Sequence, residues 1–560
     1  MTTTHTRPEA PGRPAPRSDL GTHEVTNQVP PRSGGDLLSA DPALAEALGR
    51  EGGDPAAVDR LAAVVGTDEH REHARAANVH EPQLRSHDRT GHRIDEVGFH
   101  PSWHELMRTS VEHGLAAAPW TAAPGTGAHV TRAAGFYLTS QVEQGHLCPI
   151  SMTYAAVPAL RHAPDLAAAY EPGLAARSYE PGLADPAAKT GLLAGMSMTE
   201  KQGGSDVRAG TTVAHHQPDG SYRLTGHKWF TSAPMNDLFL TLAQAPGGLT
   251  CLVLPRVLPD GTRNAIHLQR LKDKLGNRSN ASSEIEYHGA VGWRVGDEGR
   301  GVRTIIEMVS MTRLDCVLGA AGTQRAAVTE AAHHVAHRSA FGARLADQPL
   351  MREVVADLAA ETEAATVLAL RLAGAVDRSA GDPAEGALLR LALPVTKYLV
   401  CKRTSAVVAE ALECLGGNGY VEESDLPRLY REAPLNSIWE GSGNVTALDA
   451  LRAIAREPHA VDALLAEIDL TSGADPRLDA CVAALRTELA APQERRARRL
   501  AELAALALQG SLLVRHAPDP VAQVFLATRL DADGPLRTAG ARPGSDAVGA
   551  LLERATPQAG

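Results

Sequence analysis

The chain is 560 residues long, 43 % hydrophobic and 22 % charged, with a formal charge of -11. That length is too great for one ordinary core and implies three or four domains; the acidic balance excludes a protein coated with nucleic acid but leaves room for a local basic patch. Six scattered cysteines without a CxxC pair, no histidine cluster at ligand spacing, no signal-peptide core and no apolar run near the ~18 residues of a membrane span predict a cytoplasmic protein with reduced thiols, no metal site and no membrane partner.

Residues 1–35, rich in Pro, Thr, Gly and Arg, cannot build a core and read as a disordered tail. From 36 to 194 the text is Ala- and Leu-rich at helical spacing, as in "LAEALGR" and "FYLTSQVEQGHLC", which predicts a helical domain. Within it "YEPGLAARS" is echoed nine residues later by "YEPGLADP". Pro-Gly in both copies reads as a duplicated loop insertion. Between 195 and 300, "GSYRLTGHKWFTS", "LFLTLAQA", "LTCLVLPRV" and "SSEIEYHGA" are short apolar or alternating runs bounded by Gly-containing turns, which predicts antiparallel strands. Residues 301–456 return to long helices with apolar stripes, suited to a bundle. Residues 457–560 add a further helical region, with "ERRARRLAELAALALQGSLLVRH" its clearest helix. The expected fold class is mainly α with a central β domain.

Several segments carry chemistry. "MTEKQGGSDV", Met198–Val207, stands at the entry to the β block. Alone it is either a polar surface turn or a ligand loop, with the Thr199 and Ser205 hydroxyls and the amides around Gly203 and Gly204 as donors. "WFTS" offers Trp229 and Phe230 as aromatic platforms or plain β-core residues, and Ser232 as a further hydroxyl. Arg338 in "RSAFG" is a planar fork suited to phosphate or a helix-terminal Arg before a Gly stop. "LGGNGY" reads as a helix end and tight turn. Glu440 in "IWEGSGN" is either a desolvated carboxylate with a raised pKa, able to take an acidified α-proton, or a solvent Glu ahead of the turn that caps "NVTALDALRAIAR".

In this order and spacing, these segments resemble the acyl-CoA dehydrogenase flavoprotein family over about residues 100–456. The resemblance implies FAD as cofactor, an acyl-CoA substrate, and an N-terminal helical domain, a middle β-barrel-like domain and a C-terminal helix bundle. It implies that Met198, Thr199, Gly204 and Ser205, with Trp229, Phe230, Thr231 and Ser232, line the flavin, and that Gly441, Ser442 and Asn444 contact it. Arg338, Phe341, Gly416 and Gly417 are implied to reach the pyrophosphate and adenine across a subunit interface, in a homotetramer, and Glu440 falls on the family's commonest base position. "GMSMTEKQGGSDV", "RLKDKLGNRSNASSEIEY", "MTRLDCVLG", "VGFHPSWHELM" and the extra hundred C-terminal residues are similar to the AidB-type, alkylation-response branch, which extends the resemblance to about residues 22–560. That branch implies binding of double-stranded DNA through the C-terminal domain and weak activity on isovaleryl-type acyl-CoA.

Residues 461–560 hold 11 Arg and no Lys against 13 Asp and Glu, so a DNA contact there has to come from a clustered patch, since affinity follows phosphates neutralised locally. Arg495 and Arg499, spaced to share a helix face, with Arg496 and Arg498 beside them, form the candidate patch, joined by Arg452 and Arg456. The same arginines also suit a merely solvated helix face next to Glu494 and Glu502. No base-reading motif is present, so binding is expected to be sequence-independent and steeply salt-dependent. The competing function is a metabolic short- or branched-chain acyl-CoA dehydrogenase with no DNA role.

Overall fold

The computed structural model describes residues 20–32, 34–531, 538–541 and 547–557. The N-terminal block contains helices α1 (Pro42–Arg50), α2 (Pro55–Val65), α3 (Asp68–Val79), α4 (Pro101–Glu112), α5 (Ala128–Ser140), α6 (Leu147–Leu160) and α7 (Pro164–Ala175). Their starts follow local chemistry: α1, α2, α4 and α7 open on Pro in the first turn, and Asp41, Asp54 and Thr67 accept from backbone N–H groups of α1, α2 and α3. One expectation fails here. The block is not purely helical, because Gln83–His87 (β1) and Arg93–Gly98 (β2) form an antiparallel hairpin. Their alternating polar text carries no apolar stripe, and a half-exposed hairpin needs none.

The repeated hexapeptide departs from expectation too. Its first copy, from Tyr170, completes α7, whereas the second, from Tyr179, is irregular. Leu174 is fully buried in the first copy; in the second, Tyr179 is buried and bonded to His104 Nδ1 at 2.7 Å. The duplication is therefore not two loops.

The middle block holds β3 (Ala194–Ser197), β4 (Val213–His216), β5 (Tyr222–Ser232), β6 (Leu238–Ala245), β7 (Gly248–Pro255), β8 (Ile266–Leu271) and β9 (Ser282–Val295). The seven-stranded sheet curls on itself, since β6 pairs with both β4 and β7 at the ends of the path β6-β4-β5-β9-β7. Most pairings are antiparallel as expected, but β3 and β4 run parallel to β6. Parallel neighbours need a long crossover, and residues 198–237, which include the "TEKQGGSDV" loop, β4 and β5, supply it between β3 and β6.

The bundle consists of α8 (Gly301–His337), α9 (Pro349–Arg378), α10 (Pro383–Cys414), the one-turn α11 (Gly417–Tyr420), α12 (Leu426–Glu432) and α13 (Gly443–Arg456). Between α8 and α9 the strands β10 (Ser339–Ala340) and β11 (Ala343–Arg344) make a minimal hairpin. The C-terminal region adds α14 (Pro458–Asp469), α15 (Pro476–Ala490), α16 (Ala497–His516), α17 (Asp519–Arg529) and α18 (Val548–Ala555). Its apolar residues join one continuous core with the bundle and the N-terminal helices, including Leu464, Leu485, Leu508 and Phe525. Buried ion pairs add to this: Arg529 with Glu361 and Asp357, and Arg371 with Glu467.

Of the expected tail, residues 1–19 and 33 lie outside the described residues. Residues 20–32 run along the end of α8, where Asn27 exchanges side-chain hydrogen bonds with the Ser339 backbone and Arg32 pairs with Glu330 at 2.8 Å. No helix among the described residues is long and apolar enough to cross a membrane, and all six cysteines are buried and free.

Candidate active site

A cavity of about 600 Å³ opens where the three blocks meet. α6 supplies Cys148 and Met152, β3 and its following loop supply Met196 through Ser205, β5 supplies Phe230 and Ser232, the first half of α8 supplies Thr312 and Arg313, and the loop before α13 supplies Trp439 to Ser442. Most of the wall is apolar, with a few polar groups, the usual balance of a small-molecule site.

Glu440 is held at this junction with unusual backbone strain. Its φ is +57°, in the left-handed region that side-chain-bearing residues rarely adopt. Cations on both sides pin the loop: Lys397 Nζ, from α10, donates to Trp439 O at 2.7 Å and also to Gly441 O, while Arg313 Nε, from α8, donates to Glu440 O at 3.0 Å. Arg313 is in turn fixed by Asp449 of α13 at 2.6 Å. Three helices therefore determine where one carboxylate sits. Thr312 Oγ1 donates to Glu440 Oε2 at 2.7 Å, and among the described residues Oε1 has no donor. Burial raises the Glu440 pKa above the usual carboxylate range, while the Thr312 hydroxyl and the Lys397 and Arg313 charges hold it down. The net upward shift suits a general base.

The "TEKQGGSDV" loop is anchored by a pair that the sequence did not suggest. Glu200 is buried and ion-paired with Lys228 of β5 at 3.0 Å, and it accepts from the backbones of Thr211 and Thr212. The adjacent Lys201 is exposed. With the loop tied down, Met198, Thr199, Gly204 and Ser205 face the cavity. Gly204 cannot be replaced cheaply, since a Cβ there would stand 2.4 Å from Thr199 Oγ1. This close approach of backbone to hydroxyl makes a cradle of donors.

"WFTS" does not keep strict alternation, because the pairing of β5 with β9 shifts register between Lys228 and Thr231 and both of those residues are buried. Phe230 and Ser232 line the cavity; Trp229 and Thr231 do not. Trp229 instead lies under Lys272, whose Nζ is 3.3 Å from the ring centroid, and the Thr231 hydroxyl bonds to Ser197 inside the barrel. These two are therefore not on the wall of this cavity. Asn444 is a third: it is exposed on α13 and outside the cavity wall, while its neighbours Gly441 and Ser442 are on it.

Arg338, Phe341, Gly416 and Gly417 are also outside the cavity. Gly319 is the last cavity residue on α8, and the 19 residues from it to Arg338 span about 28 Å of helix. Arg338 and Phe341 thus lie far from this chain's own cavity. Phe341 and Gly342 carry φ of +53° and +84°, the signs of a two-residue primed turn, and Phe341 at its tip is 98 % exposed. Gly416 and Gly417 follow α10, beside Tyr420, which is 80 % exposed.

The arginine patch is rearranged as well. Arg495 and Arg496 lie in a short 3-10 turn, Glu494–Arg496, and Arg499 in α16, so Arg495 and Arg499 do not share one helix. Arg496 and Arg499 both bind Glu488, and Arg495 bonds to Gln493. Arg498 turns the other way, over the Tyr398 ring and towards Gly443 and Lys402. Arg452 lines the cavity mouth, and Arg456 is exposed at the end of α13.

Sequence models of three domains match the chain in order: the N-terminal domain of the adaptive response protein AidB over residues 27–181, the acyl-CoA dehydrogenase middle domain over 195–290 and the acyl-CoA dehydrogenase C-terminal domain over 299–455. AidB of Escherichia coli is 46 % identical over 92 % of this chain and 96 % of its own length. The chain belongs to the acyl-CoA dehydrogenase family. Acyl-CoA dehydrogenase family member 11 of Caenorhabditis elegans is 32 % identical over 68 % of this chain and 63 % of its own. The crystal structure of C. elegans ACDH-11 with C11-CoA superposes with a TM-score of 0.82, at 27 % identity, covering 96 % of this chain and 97 % of that one. At 18 % identity the FAD-complexed Bacillus anthracis acyl-CoA dehydrogenase shares the fold, with a TM-score of 0.60 over 81 % of each chain.

Acyl-CoA dehydrogenases are flavin-dependent oxidoreductases acting on acyl-CoA, and FAD is the family's cofactor. The donor set here fits a flavin: hydroxyls of Thr199, Ser205 and Ser232 and a glycine-narrowed loop on one side, apolar and aromatic surface on the others. Thr312, Arg313 and Lys397 position the carboxylate, yet none of them stands out in the sequence. "MTRLDCVLG" contains the first two, and Lys397 stands alone in the apolar run "LPVTKYLVC", a pattern that often marks a buried, functionally engaged charge.

Proposed function

We propose that this chain is an FAD-dependent acyl-CoA dehydrogenase-like protein of the alkylation response that uses Glu440 as its base and binds double-stranded DNA without sequence specificity. The observation that carries the chemistry is Glu440 itself, a strained, desolvated carboxylate with one free oxygen in a cavity. When bound, FAD supplies a two-electron acceptor for the acyl chain. Glu440 takes the α-proton, Thr312 orients its carboxylate, and the apolar walls keep water from competing for that proton. Met198, Thr199, Gly204, Ser205, Phe230, Ser232, Gly441 and Ser442 hold the flavin in the same chain.

Arg338 and Phe341 on the hairpin, with Gly416 and Gly417, serve the cofactor of another copy in a homotetramer. Support comes from their distance from their own cavity and from the exposed Phe341 and Tyr420, a pattern that marks interaction surfaces. The DNA reading rests on the similarity to AidB and on exposed cations, Arg452 on the cavity wall and, separately, Arg498 with Lys402 beside Gly443 at the start of α13. Isovaleryl-CoA added to the yellow protein should bleach it, and random duplex should bind with an affinity that falls steeply with salt. Absence of bleaching would remove the dehydrogenase reading; salt-insensitive or absent binding would remove the DNA reading.

A further inference from the structure

The charges lining the cavity are nearly all compensated within the protein. Arg313 is paired with Asp449, Asp315 with Arg132, and Glu440 is bonded to Thr312. Arg452 is exposed at the mouth. Lys274 is different. It follows β8 on the loop 272–281 and faces the cavity beside Cys148, Ser232, Asn277 and Ser282. Its Nζ donates to Asn280 O at 2.5 Å and to Ser282 Oγ at 3.1 Å. An ammonium has three donors, so one remains, and among the described residues no carboxylate lies within ion-pair distance.

The nearest acidic groups do not supply the missing charge. Burial pushes the Cys148 thiol up to about 11, so it is neutral near pH 7. Glu432 is buried, raised in pKa and bonded to the backbone N–H of Asn277, and Glu81 is paired with Arg278. Burial correspondingly pulls Lys274 down to about 8. A cation kept in a half-apolar cavity with a donor to spare is an anion subsite waiting for its charge, because an uncompensated buried charge is costly and a ligand that neutralises it recovers that cost.

We propose that Lys274 Nζ forms an anion subsite inside the acyl cavity and selects acyl thioesters whose chain ends in a carboxylate over purely aliphatic ones. The inference rests on the reading that this cavity takes an acyl thioester. The subsite forms no bond; it accepts the distal carboxylate by a charge-assisted hydrogen bond while Glu440 addresses the α-carbon.

The test uses the FAD-loaded full chain carrying Glu440→Gln, which blocks turnover, and reads binding from the perturbation of the flavin spectrum. Glutaryl-CoA, its terminal monoamide and isovaleryl-CoA are titrated. Glutaryl-CoA should bind roughly 30-fold or more tighter than its monoamide, the loss expected when one partner of a desolvated charge pair is removed. Adding Lys274→Met should collapse that ratio towards one, and Lys274→Arg should restore most of it. Should Lys274→Met fail to retain FAD, the comparison of acid and amide on the Lys274-containing protein still decides. Equal binding of acid and amide overturns the proposal while leaving the acyl reading intact. A ratio that survives Lys274→Met, or a flavin spectrum shifted by Lys274→Met without ligand and with no change in selectivity, overturns it by placing the lysine against the flavin instead. If none of the three thioesters perturbs the flavin, the acyl reading fails and the subsite with it.

Discussion

The cavity and the hairpin Ser339–Arg344 come from neighbouring motifs of one sequence, yet they sit at the two ends of the same helix. At the N-terminal end of α8, residues from distant segments converge: Thr312 and Arg313 meet Glu440, and Lys397 closes the loop from α10. At its C-terminal end Arg338 is half-buried with its guanidinium on Asn27 O, while Phe341 at the tip of a two-residue turn points into solvent. The difference teaches that neighbouring motifs need not meet. One set converges on a cavity within the chain, and the other stands about 28 Å of helix away from it.

The largest effects test that division directly. Glu440→Gln should lower flavin bleaching by isovaleryl-CoA by roughly 10²–10⁴-fold, the usual contribution of a positioned base, with FAD retained. Arg338→Ala should weaken FAD retention by about tenfold or more, as expected when a forked phosphate ligand is removed. Co-assembled Glu440→Gln and Arg338→Ala chains should recover activity that neither has alone, because one site in each mixed pair then has both its base and its partner arginine. No recovery on mixing would mean that the two ends serve one chain, and the comparison would break.

A smaller effect concerns pH. The Thr312 hydroxyl stabilises the charged Glu440 carboxylate, and burial opposes it. Thr312→Val removes the stabilising bond, so the Glu440 pKa rises further and the acid limb of the bleaching rate moves to higher pH. At neutral pH the loss should stay under about a hundredfold, the scale of one hydrogen bond to a charged group. An acid limb that stays in place would mean that another group controls it.

The smallest effects separate the arginines. Arg452→Ala with Arg498→Ala should reduce the salt slope of duplex binding by about two, one for each phosphate no longer neutralised. Arg496→Ala with Arg499→Ala should change it by less than about one, because Glu488 already meets their charge. The reverse order would move the DNA surface onto the face of α16.

Much of the site was legible because its chemistry is local. Met198, Thr199, Gly204, Ser205, Phe230, Ser232, Glu440, Gly441 and Ser442 all reach one cavity, and each belongs to a short segment whose residue types suit a ligand. Trp229 and Thr231 stand apart from Phe230 and Ser232 because β5 shifts register between Lys228 and Thr231, and four consecutive letters do not reveal such an irregularity. Arg495 and Arg499 do not share one helix for a similarly local reason, since Arg495 lies in a 3-10 turn and α16 starts only at Ala497.

By itself the sequence determined the order of helical, β and helical blocks, the ligand-type loops and the carboxylate set among them, since periodicity, glycine placement and residue chemistry are local properties. Tertiary structure alone decided the rest. "YEPGLA" occurs twice with identical residues and is helix once and irregular once, because Leu174 in the first copy and Tyr179 in the second are buried in different surroundings. Likewise Lys274, one charged residue in a charged loop, becomes a lone cation in a cavity only when α6, β5 and β9 close around it. Which charges find partners depends on contacts between residues far apart in the chain, and no short stretch of sequence contains them.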